Sequence, residues 1–185
     1  MPAGRVNQTV YLGTSAGNDI EDMNESSLYK PGELGSQIQT TTDKAYQLVK
    51  LDSGATASTG AGVVVAGDLA FWKDRANFLV TNDKVQSVGG PGVTASRNSV
   101  AGVFTVAATA GYYTVVQQRG RRSVVSDGGG DFAVGEYCVA SANAAPDIDR
   151  VAAATAPPYT PVGRVAATES GGFTAVDLDI PVNNA

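Results

Sequence analysis

The chain has 185 residues, 43% of them hydrophobic and 17% charged, with a formal net charge of −5. It contains no histidine and a single cysteine, Cys138; this excludes Ser/His/Asp and Cys/His catalysis, histidine and thiolate zinc sites, and any intrachain disulfide. The acidic balance argues against binding nucleic acid or anionic lipid, both of which need a basic face.

A chain of this length buries roughly 70% of its unfolded surface, so it folds without staples. No apolar run approaches the roughly 20 residues of a membrane helix. The start, MPAGRVNQTV, lacks a hydrophobic signal core. A soluble protein of a reducing cytoplasm is expected.

Residues 1–44 differ from the rest. After the strand-like QTVYL comes a polar stretch rich in Gly, Ser, Asn and Asp, with sparse apolar anchors such as Ile20, Met23, Leu28, Tyr29, Leu34 and Ile38. It cannot bury enough surface to fold alone. The recurring anchors and the Pro31-Gly32 turn predict an extended arm that orders against the main domain or a neighbouring molecule. The sequons at Asn7 and Asn24 carry little weight without a secretory signal.

From residue 45 to 185 the texture becomes short apolar runs separated by Gly, Asn, Asp and Pro. AYQLVKL (45–51) alternates, and SGATASTGAG reads as a loop. VVVAGDLAFWKD (63–74) is dense enough for a core strand, with a bulge or bend at Gly67-Asp68. NFLVTND, VTASR, VAGVFTV, YYTVVQQ, RRSVVS, GEYCVAS, IDRVAA, PVGRVAA and FTAVDLDI follow at short intervals. This spacing predicts a mainly β fold, an antiparallel barrel or sandwich. Helical periodicity is weak; ANAAP and RVAAATA are the best candidates, and both are short. AGDLAFW and VGEYCVA share a Gly–acid pair opening an apolar run, an echo that predicts similar strand starts.

YYTVVQQRGRRSVV (112–125) concentrates three arginines in an acidic chain. Gly120 suits the positive φ of a tight turn or bulge, so a hairpin is expected, pairing Val115 with Val124 and Gln117 with Arg122. Arg119 and Arg121 then project from its tip as solvated charges or as partners of an acidic neighbour. Three arginines without a wider basic face are too few for phosphate binding.

Other groups read structurally. Cys138 lies among apolar neighbours as an inert core thiol, and Trp72 beside Phe71 is expected in the core. NDIED, DIDR and DLDI lack the spacing of a calcium loop. In a strand, Asp177 and Asp179 share one face. SDGGGDF lacks the Lys-Ser/Thr ending of a phosphate loop. No catalytic constellation and no cofactor or metal site emerges.

Taken in order, YQLVKLDSGAT, GDLAFWKDRANFLVTND, VAGVFTVAATAGYYTVVQQRGRRSVV, VGEYCVAS and PVGRVAA resemble the small capsid-decoration (cement, head-stabilisation) proteins of tailed bacteriophages, over about residues 45–180. The resemblance implies an all-β module, commonly a homotrimer, bound to the major capsid protein on the outer face of the virion and stabilising the expanded shell, with no enzymatic activity. Residues 1–44 fit an arm reaching across capsid subunits. Tyr29, Pro31 and Leu34 on that arm, together with Arg119 and Arg121, are the expected partner contacts. Another virion β-module, such as a tail or head-fibre piece, is the first alternative. A carbohydrate-binding sandwich is the second, and requires Trp72 or Tyr112 and Tyr113 to be exposed.

Overall fold

The computed structural model describes residues 24–25, 34–39, 43–55, 64–84, 87, 98–128, 131–142, 146–152 and 155–181. Among these residues there are strands and turns but no α-helix; RVAAATA begins within a strand instead. The expected arm residues Tyr29 and Pro31 lie outside the described residues.

The strands are β1 (Asn24–Glu25), β2 (Gln37–Gln39), β3 (Ala45–Leu51), β4 (Leu69–Asp74), β5 (Leu79–Thr81), β6 (Val100–Phe104), β7 (Tyr113–Val125), β8 (Tyr137–Ala140), β9 (Ile148–Val151), β10 (Gly163–Ser170) and β11 (Phe173–Asp179). Five of them, β3-β5-β4-β6-β7, close into a barrel because β7 also pairs with β3. Closure removes exposed sheet edges from this part of the fold. Among the described strands, the β3–β5 pairing is parallel and the others antiparallel.

The far half of β7 opens a second layer of sheet, β7-β11-β10-β8-β9. A bridge from Ile148 back to Ser126, just beyond β7, curls that layer round on itself.

Each curl holds its own core. Val49, Leu51, Trp72, Phe78, Val80, Phe104 and Val116 fill the barrel, where Trp72 and Phe78 meet edge to face with centroids 6.2 Å apart. Leu69, Phe71, Val124, Cys138, Ile148, Val176 and Leu178 fill the second core. β4 is the shared wall, since a strand's side chains alternate: Leu69 and Phe71 enter one core, Ala70 and Trp72 the other. This explains an apolar run without the period-2 alternation of a half-buried strand. On β6 the register shifts between Ala70 and Phe71, and this bulge at Ala101 lets Val100 and Val103 face the second core while Ala101 and Phe104 face the barrel.

The expected hairpin at 112–125 is not formed: β7 runs unbroken for 13 residues. Gly120 does take a positive φ of +86°, but it serves a local irregularity. Gln117 spans it, its Nε2 donating to the Arg119 carbonyl at 2.9 Å and the Arg121 carbonyl at 3.3 Å. The two halves find separate partners, β3 from Tyr113 to Arg119 and β11 from Arg119 to Val125. Neither half needs the other as a neighbour.

Parts of the segment expected as an arm belong to this sheet. β2 pairs with β3 through Gln37–Gln47, Ile38–Tyr46 and Gln39–Ala45, and β1 pairs with the start of β7. Leu34 is half-buried against the barrel core.

Candidate interaction surface

The most distinctive outer surface is built by the second half of β7 and by β11. In register, Arg119 faces Asp179, Arg121 faces Asp177, Ser123 faces Ala175 and Val125 faces Phe173. Thr174, Val176 and Leu178 alternate inward and are buried, so these outer residues form two adjacent columns on one face. The expectation that Asp177 and Asp179 share a face holds.

Arg121 grips Asp177 with a fork: Nε donates to Oδ1 at 2.9 Å and Nη2 to Oδ2 at 3.1 Å. These bonds, with the attraction between the charges, raise the guanidinium pKa, and the Arg121 hydrogen bond holds the Asp177 carboxyl below the usual carboxylate range. Arg119 lies 3.7 Å from Asp179. Both predicted arginines are therefore exposed strand residues paired to aspartates of their own chain, and not the tip of a turn. A phosphate would have to compete with those aspartates.

Beyond the charges the face becomes small and apolar. Ala66, Gly67, Arg122, Ser123, Phe173 and Ala175 line an open groove of about 480 Å³, with Arg121 at its charged end. Phe173 remains 41% exposed. Its ring rests where a Gly67 side chain would be, since a Cβ there would come within 3.1 Å of Cε1. Arg122 leans inward and donates through Nη2 to the Thr105 carbonyl.

The Gly–acid echo marks two matching turns. Gly67 and Gly135 have φ of +95° and +89°. In each turn the acid that follows closes back on the residue three earlier. Asp68 Oδ2 accepts the Val65 N–H at 3.2 Å, and Glu136 Oε2 accepts the Ala133 N–H at 3.0 Å. The backbone bonds Asp68 N to Val65 O and Glu136 N to Ala133 O complete both turns. β4 and β8 start immediately after them.

The acids differ in surroundings. Glu136 has Arg150 at 3.7 Å, whereas Asp68 is only 3% exposed and burial pushes its pKa up to about 6. Asp147, nearby and also raised by burial, adds its repulsion. Asn82 lies against Asp68 and partly offsets that rise. This buried acid was not foreseen as a titrating group, although the Gly-Asp echo marked its position. Neither Asp68 nor Asp147 lines the groove beside Phe173 or the smaller one at Asp127, Asp131 and Arg150.

The remaining sequence readings are placed as follows. Trp72 is 1% exposed, so it offers no sugar platform, while Tyr112 is partly exposed and Tyr113 has the Lys50 ammonium 5.6 Å above its ring. Cys138 is fully buried, and its thiol is pushed up to about 12 by burial, which keeps it protonated and unreactive at neutral pH. Among the described residues no group of three or more Asp, Glu, Cys or His side chains is arranged to hold a metal ion.

No family model matches this chain, and neither a curated protein nor a solved structure matches it.

Proposed function

We propose that this protein is a structural component of a virion: a cement or decoration protein that binds the outer surface of a tailed-phage capsid through the major capsid protein and stabilises the expanded shell. It acts by fitting against other proteins, as a homotrimer, with no substrate and no cofactor. The observation that carries this reading is the fate of the ordered motifs: GDLAFWKD, VAGVF, YYTVVQQRGRRSVV, GEYCVA and VGRVAA become successive walls of one closed, two-cored β-module. Such a module is stiff, and several modest contacts linked within one oligomer hold a shell more firmly than any one alone. The exposed face carrying Arg119, Arg121 and Phe173 offers both charge and apolar surface for contacts between copies in such an assembly.

The test is to mix purified full-length protein with expanded capsids that lack it, and to measure co-sedimentation and resistance of the shells to heat or osmotic shock. Saturable binding with a more resistant shell is expected. A protein that neither sediments with the shells nor protects them overturns the reading. Because β2 pairs with β3 and Leu34 packs on the barrel core, the arm is tested by deleting residues 1–23 and not 1–44; the shortened protein is expected to keep its fold and to bind more weakly.

A further inference from the structure

We propose that the outer face of β7 and β11 pairs with the same face of a second copy of this chain, about a two-fold axis running parallel to the strands. The two columns are Arg119, Arg121, Ser123, Val125 on β7 and Asp179, Asp177, Ala175, Phe173 on β11. One column therefore begins with two positive charges, its neighbour begins with two negative ones, and both end without charge.

Turning a second copy over about that axis exchanges the columns and leaves the height unchanged. Each arginine then faces an aspartate of the other copy, and each Phe173 faces the Val125 end of the opposite β7. An isologous contact requires this self-complementarity. The other face-to-face arrangement, with the axis lying across the strands, keeps each column over its own counterpart but reverses the height, so Arg119 meets Val125 and Asp179 meets Phe173, charge against apolar surface. Charge complementarity thus selects one occupant in one orientation.

Packing favours the same pairing. Ser123 and Ala175 are small where two sheets must approach to about 10 Å. Phe173 is a large ring left 41% exposed beside an open groove, and the Phe173 of the other copy enters that groove from across the axis. An aromatic anchor at one end of the contact and charge pairs at the other combine two features common in protein interfaces. This two-fold contact is separate from the three-fold association proposed above: a dimer carries it, and so do trimers joined in pairs.

Sedimentation velocity of the full chain, without capsids, from about 5 to 200 µM and from about 50 to 500 mM NaCl, tests the pairing. An even-numbered assembly that weakens with salt is expected. Phe173→Asp should weaken its pairing step at least about tenfold. Asp177→Arg should weaken it too, and the exchange Arg121→Asp with Asp177→Arg should restore it, because the swapped columns remain complementary. All these side chains are exposed, and unchanged thermal unfolding of each variant separates lost pairing from lost fold. A chain that stays monomeric throughout, or an assembly of any size that Phe173→Asp leaves intact, overturns the proposal. Shell binding is read in a different experiment, so failure of one does not imply failure of the other.

Discussion

Residues 113–118 and 119–125 belong to one strand, yet they occupy two environments. In the first stretch Thr114, Val115, Val116, Gln117 and Gln118 are all buried. In the second, Arg119, Arg121 and Ser123 are exposed while Val124 is buried. The first half can carry glutamines only because they find partners: Gln118 Nε2 donates to Gln47 Oε1 at 2.8 Å and to the Ala101 carbonyl at 3.0 Å. An unpaired buried amide costs about 1–3 kcal/mol. The second half holds arginines at no such cost, because water and the β11 aspartates share them. Similar strand-forming residues thus do different work according to what covers them.

Gly120 joins the two halves, and replacing it gives the largest expected effect. Its φ of +86° disfavours any L side chain. A Cβ there would also lie 2.9 Å from Lys44 Cγ and 3.2 Å from the Lys44 Cα, where the chain runs into β3. Gly120→Val is expected to destabilise by about 3 kcal/mol, read from the denaturant midpoint. Gly120→Asn, which tolerates the left-handed region better, should lose less. Equal losses for both variants would show that crowding against Lys44, and not backbone conformation, sets the cost.

The strand junction also shows what the sequence could and could not disclose. The mainly β fold was legible throughout, from short apolar runs and their glycine breaks. The Gly–acid echo predicted matching strand starts, and both turns close in the same way. The strand-face position of Asp177 and Asp179 followed from their spacing of two. Reading 112–125 as a hairpin failed because a positive-φ glycine serves a bulge as well as a turn, and only long-range partners decide between them. The partners here are β3 and β11, more than 45 residues away along the chain on either side. The double core was hidden for a similar reason: a strand shared by two cores is apolar on both faces, so LAFW carries no alternation to assign. Nor does anything local to Leu34, in a polar segment, show that it lies against Trp72's core.

The turn beside the second half of β7 supplies the next effect. The Gly67 carbonyl accepts the Val125 N–H at 3.0 Å, and the following residue, Asp68, is buried with its pKa raised from 3.8 to about 6. A carboxyl that binds its proton more tightly when folded favours the fold while protonated. Its contribution is therefore most favourable below about pH 4 and is lost as pH rises from about 4 to about 6. Asp68→Asn keeps an acceptor for the Val65 N–H and removes the charge. The variant is expected to be more stable at pH 7 by about 2 kcal/mol, with a flatter stability profile between pH 4 and 6. Asp147, also raised by burial, leaves a residual slope of the same sign. The buried polar groups of the first half are amides and hydroxyls, so substitutions there should shift stability without changing its pH dependence. Chemical unfolding across the pH range separates the two behaviours, and an unchanged slope in Asp68→Asn would remove Asp68 as its source.

The smallest effect on the fold belongs to the most conspicuous pair. Arg121 and Asp177 are joined by two good hydrogen bonds, yet their side chains are 66% and 54% exposed. Water solvates either group when its partner is removed, and ordering two mobile side chains offsets most of the attraction. Arg121→Ala should leave the unfolding midpoint unchanged within error. The local electrostatics should still respond: without the Arg121 hydrogen bond, the Asp177 carboxyl loses the cause of its lowered pKa and titrates nearer the ordinary range, a change visible by NMR. In the native chain a lowered carboxyl pKa favours folding at neutral pH and loses that contribution as acid protonates it, but exposure keeps the contribution small. A pair with so little influence on its own fold is available to direct contact with another surface, because opposed charges discriminate between partners and registers more than they add affinity. Arg121→Ala should therefore be nearly silent in unfolding and evident in association, the reverse of what Gly120→Val should show.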